Sequence, residues 1–325
     1  MKLFIKISLK RVIKISEKFY LVLAGGVGAA KFIEGLVQVI NPKLLKIIVN
    51  TGDDIELYGL KICPDLDIIT YTLANIIDKE KGWGFQNESF HCLNVLKVYY
   101  DLGWFNLGDQ DLATHIFRTD LMRSGYSKAE ATAIICKKLG VISELIPMSN
   151  EDVQTIIHTP TKAMHFEEYY IKYKCEPKVL NIEFKGIEHA KPINKILEYI
   201  HNAYKIYISP SNPIVSIGTI LSLPRIKESL EKVKDKVIAI SPIIAGTTIK
   251  GPADKLMQSL GLEVSSFGVA EYYKDIVAHF VIDNIDYKLK SRIESLGIST
   301  YCYDTIMTNL EKKKALGNFV LNIPS

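Results

Sequence analysis

The residues whose types and spacing suit chemistry begin with Gly25-Gly26-Val27-Gly28-Ala29-Ala30-Lys31. Clustered glycines let a backbone approach a bound group closely, and free N–H groups at a helix start attract an anion. Phosphate is the usual guest, and Lys31 adds positive charge. The dinucleotide fingerprint G-x-G-x-x-G fails at its third glycine, where Lys31 stands. The Walker pattern fails too, because Ala30 precedes that lysine and Phe32 follows it. A phosphate or nucleotide loop is the functional reading. A tight turn whose glycines serve packing alone is the other.

Carboxylates come next. Pro64-Asp65-Leu66-Asp67 flanks one leucine with two acids, just before an apolar run. Such a pair can bind Mg²⁺, orient a hydroxyl or accept its proton, unless one Asp merely caps a helix and the other is solvated. Asn50-Thr51-Gly52-Asp53-Asp54 closes an earlier strand, and there Asp53 would hold a ribose in a dehydrogenase. A second strand-to-helix loop, Ser209-Pro210-Ser211-Asn212-Pro213, is dense in small polar groups. Between Gly103 and His115, aromatics beside glycines and paired acids suit a pocket wall for a flat ring system. Core packing is the plainer reading of Trp104 and Phe105, and a structural role that of His115.

These residues need a scaffold, and the hydrophobic pattern supplies one. Short apolar runs at 19–24, 44–49, 204–208, 237–242, 279–282 and 298–302 alternate with helical segments. A helical insertion is expected over about 83–150, with helices near 88–101, 109–123 and 127–139. The last opens on Ser127 with Glu130 three residues on, a capping box. Residues Met164 to Phe184 suggest a small β excursion, and helices are expected near 191–202 and 252–260. Residues 263–273 suggest a short strand and then a helix. The fold class is therefore α/β: a Rossmann-like, doubly wound, mostly parallel sheet with a largely helical insertion. Residues 1–18 form a basic arm and 19–325 a single α/β domain.

Composition narrows the function classes. The net charge of +4 is misleading, because residues 1–18 carry six basic side chains against Glu17. Removing that +5 leaves a body near −1, with no broad nucleic-acid footprint. The arm is basic and amphipathic, but charges interrupt it too often for a signal peptide or a spanning helix. It packs on the body, arises from an upstream start, or lies on a membrane surface. Five cysteines far apart, with no C-x-x-C pair, suggest neither a disulfide framework nor a zinc site, and a reducing cytoplasm fits best.

Taken together, these segments resemble the 2-phospho-L-lactate transferase family, which builds the deazaflavin coenzyme F-420 in archaea and some bacteria. The resemblance is carried by the Gly25-Gly26-x-Gly28 loop with Lys31, Pro64-Asp65-Leu66-Asp67, and Leu107-Gly108-Asp109-x-Asp111-x-Ala113-Thr114-His115. Met164-His165-Phe166, Ser211-Asn212-Pro213-Ile214, Ser241-Pro242-Ile243-Ile244 and Gly268-Val269-Ala270-Glu271-Tyr272-Tyr273 continue it, so that it spans about residues 19–308. Gln110 stands where many relatives are associated with Arg, which argues against an essential charge there.

The resemblance implies transfer of a 2-phospholactyl group from lactyl-2-diphospho-5′-guanosine to the ribityl hydroxyl of the deazaflavin Fo, giving F-420-0 and GMP. It implies that Gly25, Gly26, Gly28 and Lys31 hold the diphosphate, and that Ser211 and Asn212 seat the guanosine or its phosphate. Mg²⁺ would be held in part by Asp65 or Asp109. Asp67 would orient the ribityl hydroxyl and receive its proton, and Asn106 would contact Fo. A cytoplasmic homodimer is also implied. Two rivals remain: a non-catalytic regulatory protein of the same superfamily that binds a nucleotide-sugar, and an NAD-dependent oxidoreductase.

Overall fold

A computed structural model describes residues 18–100 and 103–324. Apart from Lys18, the basic arm lies outside the described residues. The central sheet contains β1 (Tyr20–Ala24), β2 (Leu45–Val49), β3 (Glu144–Pro147), β4 (Lys205–Ile208), β5 (Val237–Ile240), β6 (His279–Asp283) and β7 (Ser299–Tyr303). Every neighbouring pair runs parallel, in the order β3-β2-β1-β4-β5-β6-β7. The order reverses between β1 and β4, and in a doubly wound sheet a crevice opens at such a reversal, outside the carboxyl ends of the strands.

The strands read as unbroken apolar runs because both faces of the sheet are covered. Leu21 and Leu23 join Ile206 and Ile208 in one core. Their sequence neighbours Val22 and Ala24 join Tyr207 in the other, on the opposite face. Helices α1 (Gly26–Leu36), α2 (Pro64–Leu73), α3 (His91–Tyr99), α4 (Asp109–Arg123), α5 (Lys128–Lys138), α6 (Ser266–Tyr273) and α7 (Leu310–Leu321) carry most of the remaining argument. The expected capping box opens α5, with the Ser127 amide donating to Glu130 at 2.8 Å and the Glu130 amide donating to Ser127 Oγ at 3.3 Å.

The structure departs from the sequence reading in several places. The helical insertion ends sooner than 150, because Glu144–Pro147 is the edge strand beside β2. The β excursion is real at Gln154–His158, Ala163–His165 and Asn181–Lys185, but Glu168–Lys172 winds as a π-helix instead of a strand. The aromatics Phe166, Tyr169, Tyr170 and Tyr173 recur at spacings of three and four, a helical period, and Phe166 stacks on Tyr170 at 5.8 Å. No strand forms at Glu263-Val264: Glu263 bonds to Ser265 and Arg292, in a loop that leads into the α6 N-cap. Helix α7 was not anticipated. It crosses α1 where a Cβ on Gly35 would lie 2.1 Å from the Lys313 carbonyl, and Lys205 anchors its end by donating to the Leu321 carbonyl at 2.7 Å.

Candidate active site

A cavity of about 700 Å³ occupies the crevice at the ends of β1 and β4. It brings together Gly25, Gly26, Gly28, Lys31, Asp65, Asp67, Asn106, Ser211 and Asn212, all nominated from sequence.

Each glycine has its own reason to be there. Gly26 has φ +71°, a left-handed conformation that turns β1 into α1. At Gly25 a Cβ would lie 2.6 Å from Ser216 Cβ and 2.7 Å from Asp65 Oδ2. At Gly28 it would lie 2.1 Å from the Pro210 carbonyl, so this glycine lets α1 press against the loop after β4. Ser211 ties the two loops together, donating to the Gly25 carbonyl at 2.8 Å. Asn212 Oδ1 accepts from the amides of Ile214 and Val215 as a cap. Packing thus accounts for Gly25 and Gly28, and the left-handed turn for Gly26. Gly28→Ala should force the two loops apart and cost on the order of 2 kcal/mol, read as a lowered urea midpoint. An unchanged midpoint would rule out the tight contact.

Three buried acids face the cavity behind the glycine turn: Asp53, Asp65 and Glu167. Asn50 Nδ2 bridges Asp53 at 3.1 Å and Asp65 at 3.0 Å. Burial pushes the Asp65 carboxyl up to about 7, against the hydrogen bonds from Asn50 and the Gly26 amide. Burial and then the Asp65 charge push Glu167 up to about 8. Asp53 is raised by burial and by both neighbours, and its Oδ1 has no hydrogen-bond partner. Asp54 next in the chain points elsewhere, to Lys128 at 2.6 Å. Unpaired buried carboxylates are costly, and either protonation or a divalent cation relieves them.

Asp67 sits in a second network, between helices. Both of its oxygens accept from Arg118, with Nη1 at 3.0 Å and Nη2 closer still. His115 Nδ1 lies 3.6 Å from Asp67 Oδ2, and its Nε2 lies 3.3 Å from Asp111 Oδ1. Tyr71 donates to the same Asp111 oxygen at 2.6 Å. Burial raises the Asp67 carboxyl, and Arg118 and then His115 work against that rise. Ligand atoms of Asp67, Asp111 and His115 lie within 4.8 Å of one another, a spacing that suits a metal. Arg118 already supplies positive charge there, on both Asp67 oxygens.

Other expectations shift. Asp109 is not at the cavity: its carboxylate accepts from Ser89 Oγ at 2.6 Å and from the amides of Cys92 at 3.0 Å and His91 at 3.1 Å. It fastens the start of α3, so the metal role expected for it is corrected to a local cap. Asp53 neighbours Asp65 rather than standing alone beside a ribose. Phe105 does line the cavity, and Trp104 packs on it edge to face at 5.7 Å. Glu167 and Arg118 were missed. For Arg118 a signal existed, since Asp111, His115 and Arg118 recur at four and three residues on one helix face. Glu167 had none beyond being an acid in an aromatic run.

Comparison with known proteins decides the family. The family model described as 2-phospho-L-lactate transferase CofD matches residues 21–316. The chain belongs to this family. It is 39% identical over 306 residues to a 2-phospho-L-lactate transferase of Methanosarcina acetivorans, covering 93% of this chain and 98% of that one. It is 38% identical over 308 residues to a phosphoenolpyruvate transferase of Streptomyces griseus, covering 93% and 97%. Among solved structures, a UPF0052-family protein of Bacillus halodurans superposes with a TM-score of 0.64 at 15% identity, covering 94% of this chain and 99% of that one. That likeness is one of fold. As a CofD-family member the chain is a transferase, and the purely regulatory and dehydrogenase readings fall away. Among the described residues no helix is long and apolar enough to cross a membrane.

Proposed function

We propose that this transferase moves a 2-phospholactyl group from lactyl-2-diphospho-5′-guanosine to the terminal ribityl hydroxyl of Fo, giving F-420-0 and GMP. One observation carries the reading. A single cavity runs from the glycine turn with Lys31 to Asp67 and an aromatic wall. A charged tail and a ring-bearing alcohol can therefore meet within it, and phosphoryl transfer depends on that positioning. The hydroxyl oxygen bonds to the phosphorus next to lactate as the bond to GMP breaks. Asp67 orients the hydroxyl and receives its proton. Asn106 and Phe105 hold Fo, and Ser211 and Asn212 seat the nucleotide end.

We place Mg²⁺ at Asp65, which shares the cavity with the buried acids Asp53 and Glu167. Bound there, the ion offsets charge on the phosphate oxygens. A phosphoenolpyruvate donor is the second reading, favoured by the 38% identity to the Streptomyces griseus enzyme beside 39% to the Methanosarcina acetivorans one. A cytoplasmic homodimer belongs to the same proposal.

The test is incubation with Fo, Mg²⁺ and each guanosine donor, followed by separation of products. The lactyl donor should give F-420-0 and GMP in equal amounts, the enolpyruvyl donor the enolpyruvyl phosphodiester of Fo and GMP, and release of GMP without a modified Fo would overturn the reading. Asp67→Asn should lower turnover on the order of a hundredfold or more. Near wild-type turnover at unchanged Fo affinity would remove Asp67 from the role.

A further inference from the structure

Several lysines surround the glycine turn, and they are not alike. Lys313 pairs with Glu34 at 2.5 Å, Lys79 with Glu34 at 3.8 Å and Lys81 with Asp78 at 3.0 Å. Three line the cavity with no ion pair among the described residues: Lys31 on α1, Lys174 just past the π-helix, and Lys250. Lys31 was legible from the loop itself. Lys250 comes from more than two hundred residues further on.

A tight hairpin presents Lys250. Ile243–Ile244 pairs antiparallel with Thr247–Thr248 across a turn at Ala245 (φ +51°) and Gly246 (φ +75°). The Ala245 amide donates to Asp286 at 3.1 Å, and Thr248 Oγ1 donates to the Gly251 carbonyl at 2.7 Å. The hairpin is thus fastened on both sides of the lysine. Lys250 reaches across to donate to the Lys81 carbonyl at 2.8 Å. A Cβ built on Gly82 would lie 3.2 Å from Val27 and 3.5 Å from Lys250 Nζ. Gly82 therefore packs against both the ammonium and Val27 of the glycine turn, and the ammonium's acceptor there is a neutral carbonyl. Lys250 is exposed as a whole, but partial desolvation of its ammonium and then the Lys31 charge lower its pKa.

We propose that Lys250 is a specificity-determining residue for the anionic tail of the donor: its ammonium leaves the Lys81 carbonyl for a phosphate or carboxylate oxygen held over the glycine turn. Lys31 and Lys250 then grip the tail from opposite sides, and the hairpin is tied to the turn through the ligand. A charge-assisted hydrogen bond replaces a neutral one, so affinity for the tail rises while affinity for the nucleoside stays the same. This rests on the transferase reading given above, in which the tail lies at the glycine turn.

The experiment compares wild type, Lys250→Met and Lys250→Arg by calorimetric titration with guanosine, GMP, GDP and the intact donor. Wild type should bind GDP more tightly than guanosine; equal affinity would overturn the placement of the tail, and this inference with it. If that preference holds, Lys250→Met should weaken GDP on the order of tenfold, leave guanosine unchanged and flatten the salt dependence. Lys250→Arg should restore much of the loss. A deficit seen with the intact donor but not with GDP assigns the ammonium to the carboxylate; one seen with both assigns it to phosphate. Unchanged affinity for GDP and donor in Lys250→Met, or an equal loss for guanosine, would sink Lys250 alone and leave the transferase reading standing.

Discussion

Replacing Arg118 by methionine is expected to destabilise the protein by roughly 3–5 kcal/mol, because it strands the buried Asp67 carboxylate. Arg118 is 3% exposed and Asp67 5%, and both Asp67 oxygens take their hydrogen bonds from that guanidinium. Small domains are stable by only about 5–15 kcal/mol, so the loss should be plain in a urea titration. The double replacement Asp67→Leu with Arg118→Met removes both charges and should recover most of the stability. It should recover none of the activity if Asp67 orients the ribityl hydroxyl as proposed. Recovery of both would show the pair to be a structural filler, and a single-variant loss below about 1 kcal/mol would show Asp67 to be otherwise neutralised.

The second large effect concerns Mg²⁺ and pH. Asp65 is pushed up to about 7 and Glu167 to about 8, above the ordinary values of 3.8 and 4.5. Between those limits the folded chain holds more protons than the unfolded one. The stability of the metal-free protein must therefore fall as pH rises from about 5 to 8. If Mg²⁺ takes the ionised acids as proposed, it stabilises the folded state by linkage, and its effect on the melting temperature should be larger at pH 8 than at pH 6. Asp65→Asn should shrink both the pH slope and the Mg²⁺ shift. Equal Mg²⁺ shifts at the two pH values, or a shift that survives in Asp65→Asn, would place the ion elsewhere.

Much of the scaffold was legible because a parallel strand covered on both faces leaves an unbroken apolar run. Leu21-Val22-Leu23 and Ile206-Tyr207-Ile208 are such runs, and polar or glycine turns end them at the crevice. The glycine turn and the Asp65/Asp67 motif were legible because their residues are close in sequence, although folding sends Asp65 to Asn50 and Asp67 to Arg118. Glu167, Arg118 and Lys250 were not singled out, because each meets its partner only through folding. Arg118 reaches Asp67 from another helix, and Lys250 reaches the glycine turn from a distant hairpin. Asp109 shows the converse. It sits in the same motif as Asp111, yet it bonds to the nearby Ser89, His91 and Cys92 instead of facing the cavity. A cap and a ligand carry the same letter, and only the neighbours separate them. Helix α7 went unread, and its seat on α1 depends on Gly35 lying against Lys313.

The neighbouring strands β1 and β4, whose ends frame the crevice, are far apart in the chain: Gly25 and Ser211, joined by a hydrogen bond, are 186 positions apart. On a ribosome adding about 5–20 residues each second, the first of these loops waits on the order of 10–40 s for its counterpart. During that interval the nascent β1 has one flank bare. The crevice, and with it any place for a substrate, can therefore form only after the chain has been made through Ser211.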